Sequence, residues 1–258
     1  MFTDTALPQD WPTNPFYEQP ADLSRDDIFT LAGFTMCGHG LGKAVRERFV
    51  ALAADLLKKH GLRAFEMPKR AAAIHEAGHT VANAALGVRT TNVLIDPINR
   101  GGKLLWIGFT DAPELAFLDT PSARVSFERL LARSRITYAG LAAELLFAGD
   151  DKREGSSIDE LMMSQILAEQ AASLVETSAE RLWRDEVATW CHSQLYRNRA
   201  AHAEIAAALM KRGRLKGKVL RELCAKVSPP DEVFPDIQDH TSQLTDAGIL
   251  PSEEDYAA

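Results

Sequence analysis

At 258 residues, 46% hydrophobic and 25% charged, the chain is long enough to bury a sizeable core in one large domain. Its net charge of −7 hides an asymmetry, because residues 228–258 carry eight carboxylates and no Lys or Arg; the rest is close to neutral and offers no broad field to recruit nucleic acid. Cys37, Cys191 and Cys224 are odd in number and widely spaced, which excludes a disulfide framework or cysteine zinc knuckle, and no apolar run reaches a membrane span. A soluble, cytoplasmic protein is expected.

In chain order, residues 1–21 hold Pro8, Pro12, Pro15 and Pro20 and read as an extended arm. A helical segment follows over 22–67, with a helix start at Ser24 and an amphipathic helix from Leu41 to His60 that ends at Gly61. The glycine-rich stretch Gly38 to Lys43 fails as a phosphate loop: Cys37 stands where the first glycine is needed, and Ala44 where Ser or Thr is needed. A second helix is expected from near Pro68 to Gly87. Two strand-like runs, Thr90 to Ile95 and Lys103 to Thr110, then read as a hairpin or small sheet packed on that helix.

The remainder reads as helical. One helix is expected from Thr120-Pro121 to Phe147, followed by a turn over Gly149 to Gly155. A capping box, with Ser157 as N-cap and Glu160 at its third position, opens a helix to about Val175. Another, Thr177 to Glu180, opens one to about Arg212, and Gly217 to Val227 supplies a short last helix. Lys211, Arg212, Arg214, Lys216 and Lys218 read as a solvated helix-helix corner, and 228–258 as an acidic tail. The fold class is mainly α with a small β-sheet or hairpin.

The chemistry concentrates at His75-Glu76-Ala77-Gly78-His79. On a helix, residues four apart share a face, so His75 and His79 aim at one point. Glu76 is rotated by about 100° from His75, which suits a general base that takes a proton from water rather than a ligand. Ala71, Ala72, Ala73, Ala77, Gly78, Ala82, Ala84 and Ala85 make this helix slim enough for close burial, and a buried helix does not carry two histidines and a glutamate without a partner for them. His-Glu-x-x-His is a zinc-binding pattern. A catalytic zinc takes three protein ligands and an open position. The metzincin extension is excluded, since Ala82 and Ala85 occupy its Gly and His positions. The third ligand is left to a carboxylate or histidine from a later helix; His192 and His202 lie on polar-faced helices and read as surface residues.

Four segments share an order and spacing with one known family: His75 to His79; Trp106-Ile107-Gly108-Phe109-Thr110; Gly140-Leu141-Ala142-Ala143-Glu144-Leu145; and Glu154-Gly155-Ser156-Ser157-Ile158-Asp159-Glu160. Together they resemble the peptidase domain of the FtsH-type ATP-dependent zinc proteases, over roughly Pro68 to Val227. The resemblance implies a helical zinc-peptidase domain over 68–227, Zn²⁺ held by His75, His79 and Asp159, Glu76 as catalytic base, and a substrate strand presenting Trp106, Gly108 and Phe109. Glu144 is the rival ligand; its other expected role is to accept a hydrogen bond from the far nitrogen of His75 or His79. Ile158 and Leu145 depart from the family pattern, in place of a polar residue and a second glutamate.

The family's ATPase module and membrane anchor are not recognisable in the 258 residues, which implies a stand-alone peptidase domain with 22–67 as a helical replacement. ATP is expected to have no direct effect. The family works as a six-membered ring through contacts that include the ATPase; a monomer or dimer fits this chain equally. The expected function is a zinc-dependent, ATP-independent endopeptidase acting on unfolded or extended polypeptide, with a separate ATPase as a candidate partner. The alternative is a non-catalytic peptide-binding module or adaptor, and the intact Glu76 tells against it because a binder needs no general base.

Overall fold

A computed structural model describes residues 43–100, 103–112, 127–151, 157–175 and 177–230. The expected arm at 1–21, the helix start at Ser24, the glycine-rich stretch before Lys43, the start of the helix after Pro121 and the tail beyond 230 lie outside them. The described residues are mainly helical with a three-stranded antiparallel sheet. No described helix is long and apolar enough to cross a membrane.

The chain divides into two compact units: Met1–Glu66 with Pro97–Leu105 and Arg153–Asp159, and Met67–Asp96 with Trp106–Lys152 and Glu160–Ala258. In the first, α1 (Lys43–His60) buries Phe49, Val50, Ala53 and Leu57, the i, i+1, i+4, i+8 positions of one helical stripe. Lys58, Lys59 and His60 in its last turn complement the helix dipole, and Gly61 ends it at a positive φ of 64°.

The second unit is built around α2 (Lys69–Ala85), of whose 17 residues 14 are buried. Burial on all sides requires small side chains, and the closest approach is to α3 (Phe127–Phe147). A Cβ built at Gly78 would stand 2.7 Å from the Ala143 Cβ and would strike the Ala139 carbonyl. Arg70 fixes the ends of this pair: its guanidinium donates to the Phe147 and Ala148 carbonyls, where α3 ends, at 3.2 and 2.9 Å, and pairs with Asp151 at 2.9 Å. The sheet has the order β2-β1-β3, with β1 spanning Asn92–Arg100, β2 Lys103–Asp111 and β3 Arg214–Lys216. Antiparallel register places Val93 opposite Leu215, both buried. β1 runs five residues beyond the expected end at Ile95.

Three further expectations change. First, the basic corner is a strand: Arg214-Leu215-Lys216 alternates exposed, buried, exposed, so its cations face out while Leu215 enters the core. Second, the long helix to Arg212 is interrupted twice. After α5 (Ala179–Leu182), Trp183–Ala188 forms a π turn, whose Glu186 carbonyl accepts from Arg135 Nε at 2.8 Å, and α6 (Thr189–Arg197) follows. At Asn198 the backbone leaves helical geometry (φ −94°, ψ 20°) before α7 (Arg199–Arg212), and its amide side chain donates to the Gln194 carbonyl and accepts from Ser228 N at 2.8 Å. Third, the cap of α5 is Ser178, which accepts from Arg181 N, rather than Thr177. The last helix, α8, spans Gly217–Cys224.

The α2–α3 contact predicts an unusual sign for a glycine substitution. Gly78→Ala should lower stability by about 1–3 kcal/mol through overpacking, despite the gain of about 1 kcal/mol in helix propensity. Urea titration checks this; a stabilised variant would show that α3 can yield.

Candidate metal centre

α2 brings His75 and His79 edge to face, with ring centroids 4.6 Å apart and Nε2 atoms 2.9 Å apart. Their outer nitrogens are fixed by α3. His75 Nδ1 lies 2.7 Å from Glu144 Oε1, and His79 Nδ1 lies 2.7 Å from the Ile136 carbonyl. A carboxylate and a carbonyl accept, so both Nδ1 atoms donate and both Nε2 lone pairs turn inward. Glu144 is 0% exposed, and its place opposite His75 is the supporting position weighed for it from the sequence.

A third group meets them from α4 (Ile158–Leu174). Glu160 Oε1 lies 3.1 Å from His79 Nε2, and Oε2 lies 3.0 Å from His75 Nε2 without forming a hydrogen bond of acceptable geometry. One turn further along the same face, Ser164 anchors α4 to α3: the Ser134 hydroxyl donates to the Ser164 carbonyl at 2.7 Å, and the Ser164 hydroxyl to the Ser134 carbonyl at 3.0 Å. Among the described residues, His75, His79 and Glu160 form a group that could hold a metal ion. The donor set fits one. Two imidazole nitrogens 2.9 Å apart face one carboxylate, whose buried Oε2 has no hydrogen-bond partner, and one ligand atom from each of the three residues lies within 4.8 Å of the others, close enough to surround a single ion.

Asp159, the ligand implied by the resemblance, is not a member of this group. Successive helical residues point about 100° apart, and it is Glu160 that faces the histidines. The capping role expected of Glu160 gives way to this contact.

Glu76 is buried on the adjoining face of α2. Its Oε2 accepts from the Thr110 hydroxyl at 2.6 Å, while its backbone carbonyl accepts from the Thr80 hydroxyl at 2.8 Å. Two glycines make room here. A Cβ at Gly140 would stand 2.5 Å from His79 Nε2 and crowd His75, and one at Gly108 would stand 2.5 Å from Glu76 Cδ. Of the expected substrate residues, Gly108 therefore lies against Glu76. Phe109 is 40% exposed, and Trp106 is half-buried with Lys69 Nζ 4.7 Å from its ring centroid. His202 is buried rather than on the surface; its Nε2 lies 2.9 Å from the Ile74 carbonyl, next to His75 in sequence. His192 is half-buried, 3.4 Å from the Tyr138 hydroxyl.

The electrostatics favour positive charge at this point. Burial pulls His75 down, yet the carboxylates of Glu160 and Glu144 outweigh it and raise it well above its ordinary value. His79 behaves similarly, with Glu160 overcoming burial. Burial pushes Glu160 up, but the two imidazoles hold it far below the usual carboxylate range. Burial raises Glu76, and His79, His75 and the Thr110 hydroxyl only partly oppose it. Three carboxylates thus surround two imidazoles, and protons or a cation must offset them.

Glu160, Thr110 and the Ile136 carbonyl were not identified from sequence. The signal available for Glu160 was its acidity in the first turn of a helix following the motif, a signal that a cap shares. No protein-family model matches the chain, and no curated protein matches it.

A pH dependence follows for protein kept in chelator. A histidine raised in the folded state contributes stability that is full below the ordinary value of 6.5 and is lost as the pH rises through its folded value. The Tm in EDTA should therefore fall as the pH rises above the ordinary histidine value of 6.5. Glu160→Gln, lacking the charge that raises both imidazoles, should flatten that slope in a calorimetric pH series.

Proposed function

We propose that the chain is a zinc-dependent, ATP-independent endopeptidase that hydrolyses unfolded or extended polypeptide, similar to the peptidase domain of FtsH-type proteases. The observation that carries this reading is the convergence of two inward-facing imidazole nitrogens and the Glu160 carboxylate beside the buried carboxylate of Glu76. Two histidines and one carboxylate leave a fourth position open, the pattern of catalytic rather than structural zinc. Bound zinc supplies a Lewis acid that polarises a carbonyl and acidifies a coordinated water to a pKa of about 7. In this reading His75, His79 and Glu160 hold the ion, Glu144 and the Ile136 carbonyl orient the imidazoles, and Glu76 takes the proton from the attacking water and returns it to the leaving amine.

The position of β2 supports a peptide substrate. Among the described residues it is an edge strand, and its outer side at Trp106 is occupied, since Trp106 N donates to the Met67 carbonyl at 2.9 Å. An extended peptide would therefore pair from Gly108 onward, the point at which the strand touches Glu76. Main-chain pairing makes little demand on sequence, and exposed Ile107 and Phe109 offer apolar contact beside it.

Cleavage of an unfolded protein by metal-loaded and chelated samples, with zinc measured on each, tests the reading. Glu76→Gln should keep zinc and lose about 10²–10⁴-fold in turnover; full activity would end the mechanism. The ligand assignment is checked by zinc content after dialysis. Glu160→Gln should release the ion while Asp159→Asn keeps it, and the reverse result would return the role to Asp159.

A further inference from the structure

The two oxygens of the Glu76 carboxylate have different surroundings. Oε2 accepts the Thr110 hydroxyl at 2.6 Å, the shorter of two contacts from that hydroxyl; the other, to the Glu76 carbonyl, is 3.4 Å. Oε1 makes no hydrogen bond within the described residues and lies against Gly108, where it is the atom closest to the position a Cβ would take. Gly108 itself is exposed, and the Glu76 carboxylate fills the place its side chain would take, so the carboxylate lies directly against the strand backbone. β2 thus does two things to one carboxylate: Thr110 ties one oxygen, and two residues earlier on the same strand Gly108 leaves the room in which the other lies.

We propose that Thr110 is a positioning residue that holds Glu76 by Oε2 and so assigns Oε1 as the atom that accepts the proton. This rests on the peptidase reading. As the water oxygen forms its bond to the carbonyl carbon, an O–H bond of the water breaks and its proton passes to Oε1. When the C–N bond breaks, the same proton moves from Oε1 to the leaving amine nitrogen, and the carboxylate is restored. Without the Thr110 hydroxyl the carboxylate can rotate and Oε1 leaves its place against Gly108. The strand that would receive substrate also sets the base, so strand and base move together.

The test compares zinc-loaded wild type, Thr110→Val and Thr110→Ser. Valine keeps the shape and removes the hydroxyl; serine keeps the hydroxyl. Thr110→Val should retain zinc and KM and lose about 10–100-fold in kcat, with Thr110→Ser restoring most of it. Crystal structures give a readout independent of turnover: the Glu76 carboxylate should be rotated in Thr110→Val and in its original place in Thr110→Ser. An unmoved carboxylate in Thr110→Val, or undiminished kcat, overturns the proposal. A wild type that cleaves nothing, and does not differ from Glu76→Gln, instead overturns the peptidase reading and the proton-accepting role of Oε1 with it; the crystal structures still decide whether Thr110 positions the carboxylate.

Discussion

The close approach of α2 and α3 is the contact on which the site depends. With Gly78 against Ala139 and Ala143, and Gly140 beneath the imidazoles, the two helices lie near enough for α3 to reach both outer histidine nitrogens, by the Glu144 carboxylate and the Ile136 carbonyl. A side chain at either glycine would force the helices apart and lengthen both hydrogen bonds. The same small-residue seam therefore serves packing and chemistry, and the two cannot be separated by mutation along it.

Such a seam would be costly without the ionic network it encloses. Glu144, Glu76, His75 and His79 are all buried, and isolated charges there would lose several kcal/mol of hydration each. Their arrangement offsets this because every carboxylate faces an imidazole or a hydroxyl donor. Breaking one member exposes the others to the desolvation cost, which makes the site cooperative in the sense that its residues are worth little singly. Arg70 at the end of α3 and the paired serines Ser134 and Ser164 hold the surrounding helices in register from outside the network.

The helical pattern of His75, Glu76 and His79 was legible because it is local: a four-residue spacing determines which side chains share a face. Glu144 was legible in part, since a carboxylate among alanines needs a partner. Glu160 was hidden, because a glutamate three residues after Ser157 satisfies the cap pattern whether or not it caps, and only the packing of α4 on α3 decides its direction. β3 was hidden for a different reason. Three residues with two cations carry too little pattern, and the strand exists because Val93 and Leu215 meet across it. Burial of His202 was equally beyond reach, since its helix has no strong apolar face to show which side turns inward.

Gly78, Gly108 and Gly140 suggest that this centre was shaped by subtraction. Each marks a place where a single methyl group would occupy space used by a neighbouring helix, by Glu76 or by the two imidazoles. The inner wall therefore has no room in which selection could try new side chains, and the freedom to alter what is accepted is displaced to the rim. Ile107 and Phe109, half open to solvent and flanking the bare position between them, are where, on the proposed reading, a change of appetite could be written without disturbing the buried residues behind it.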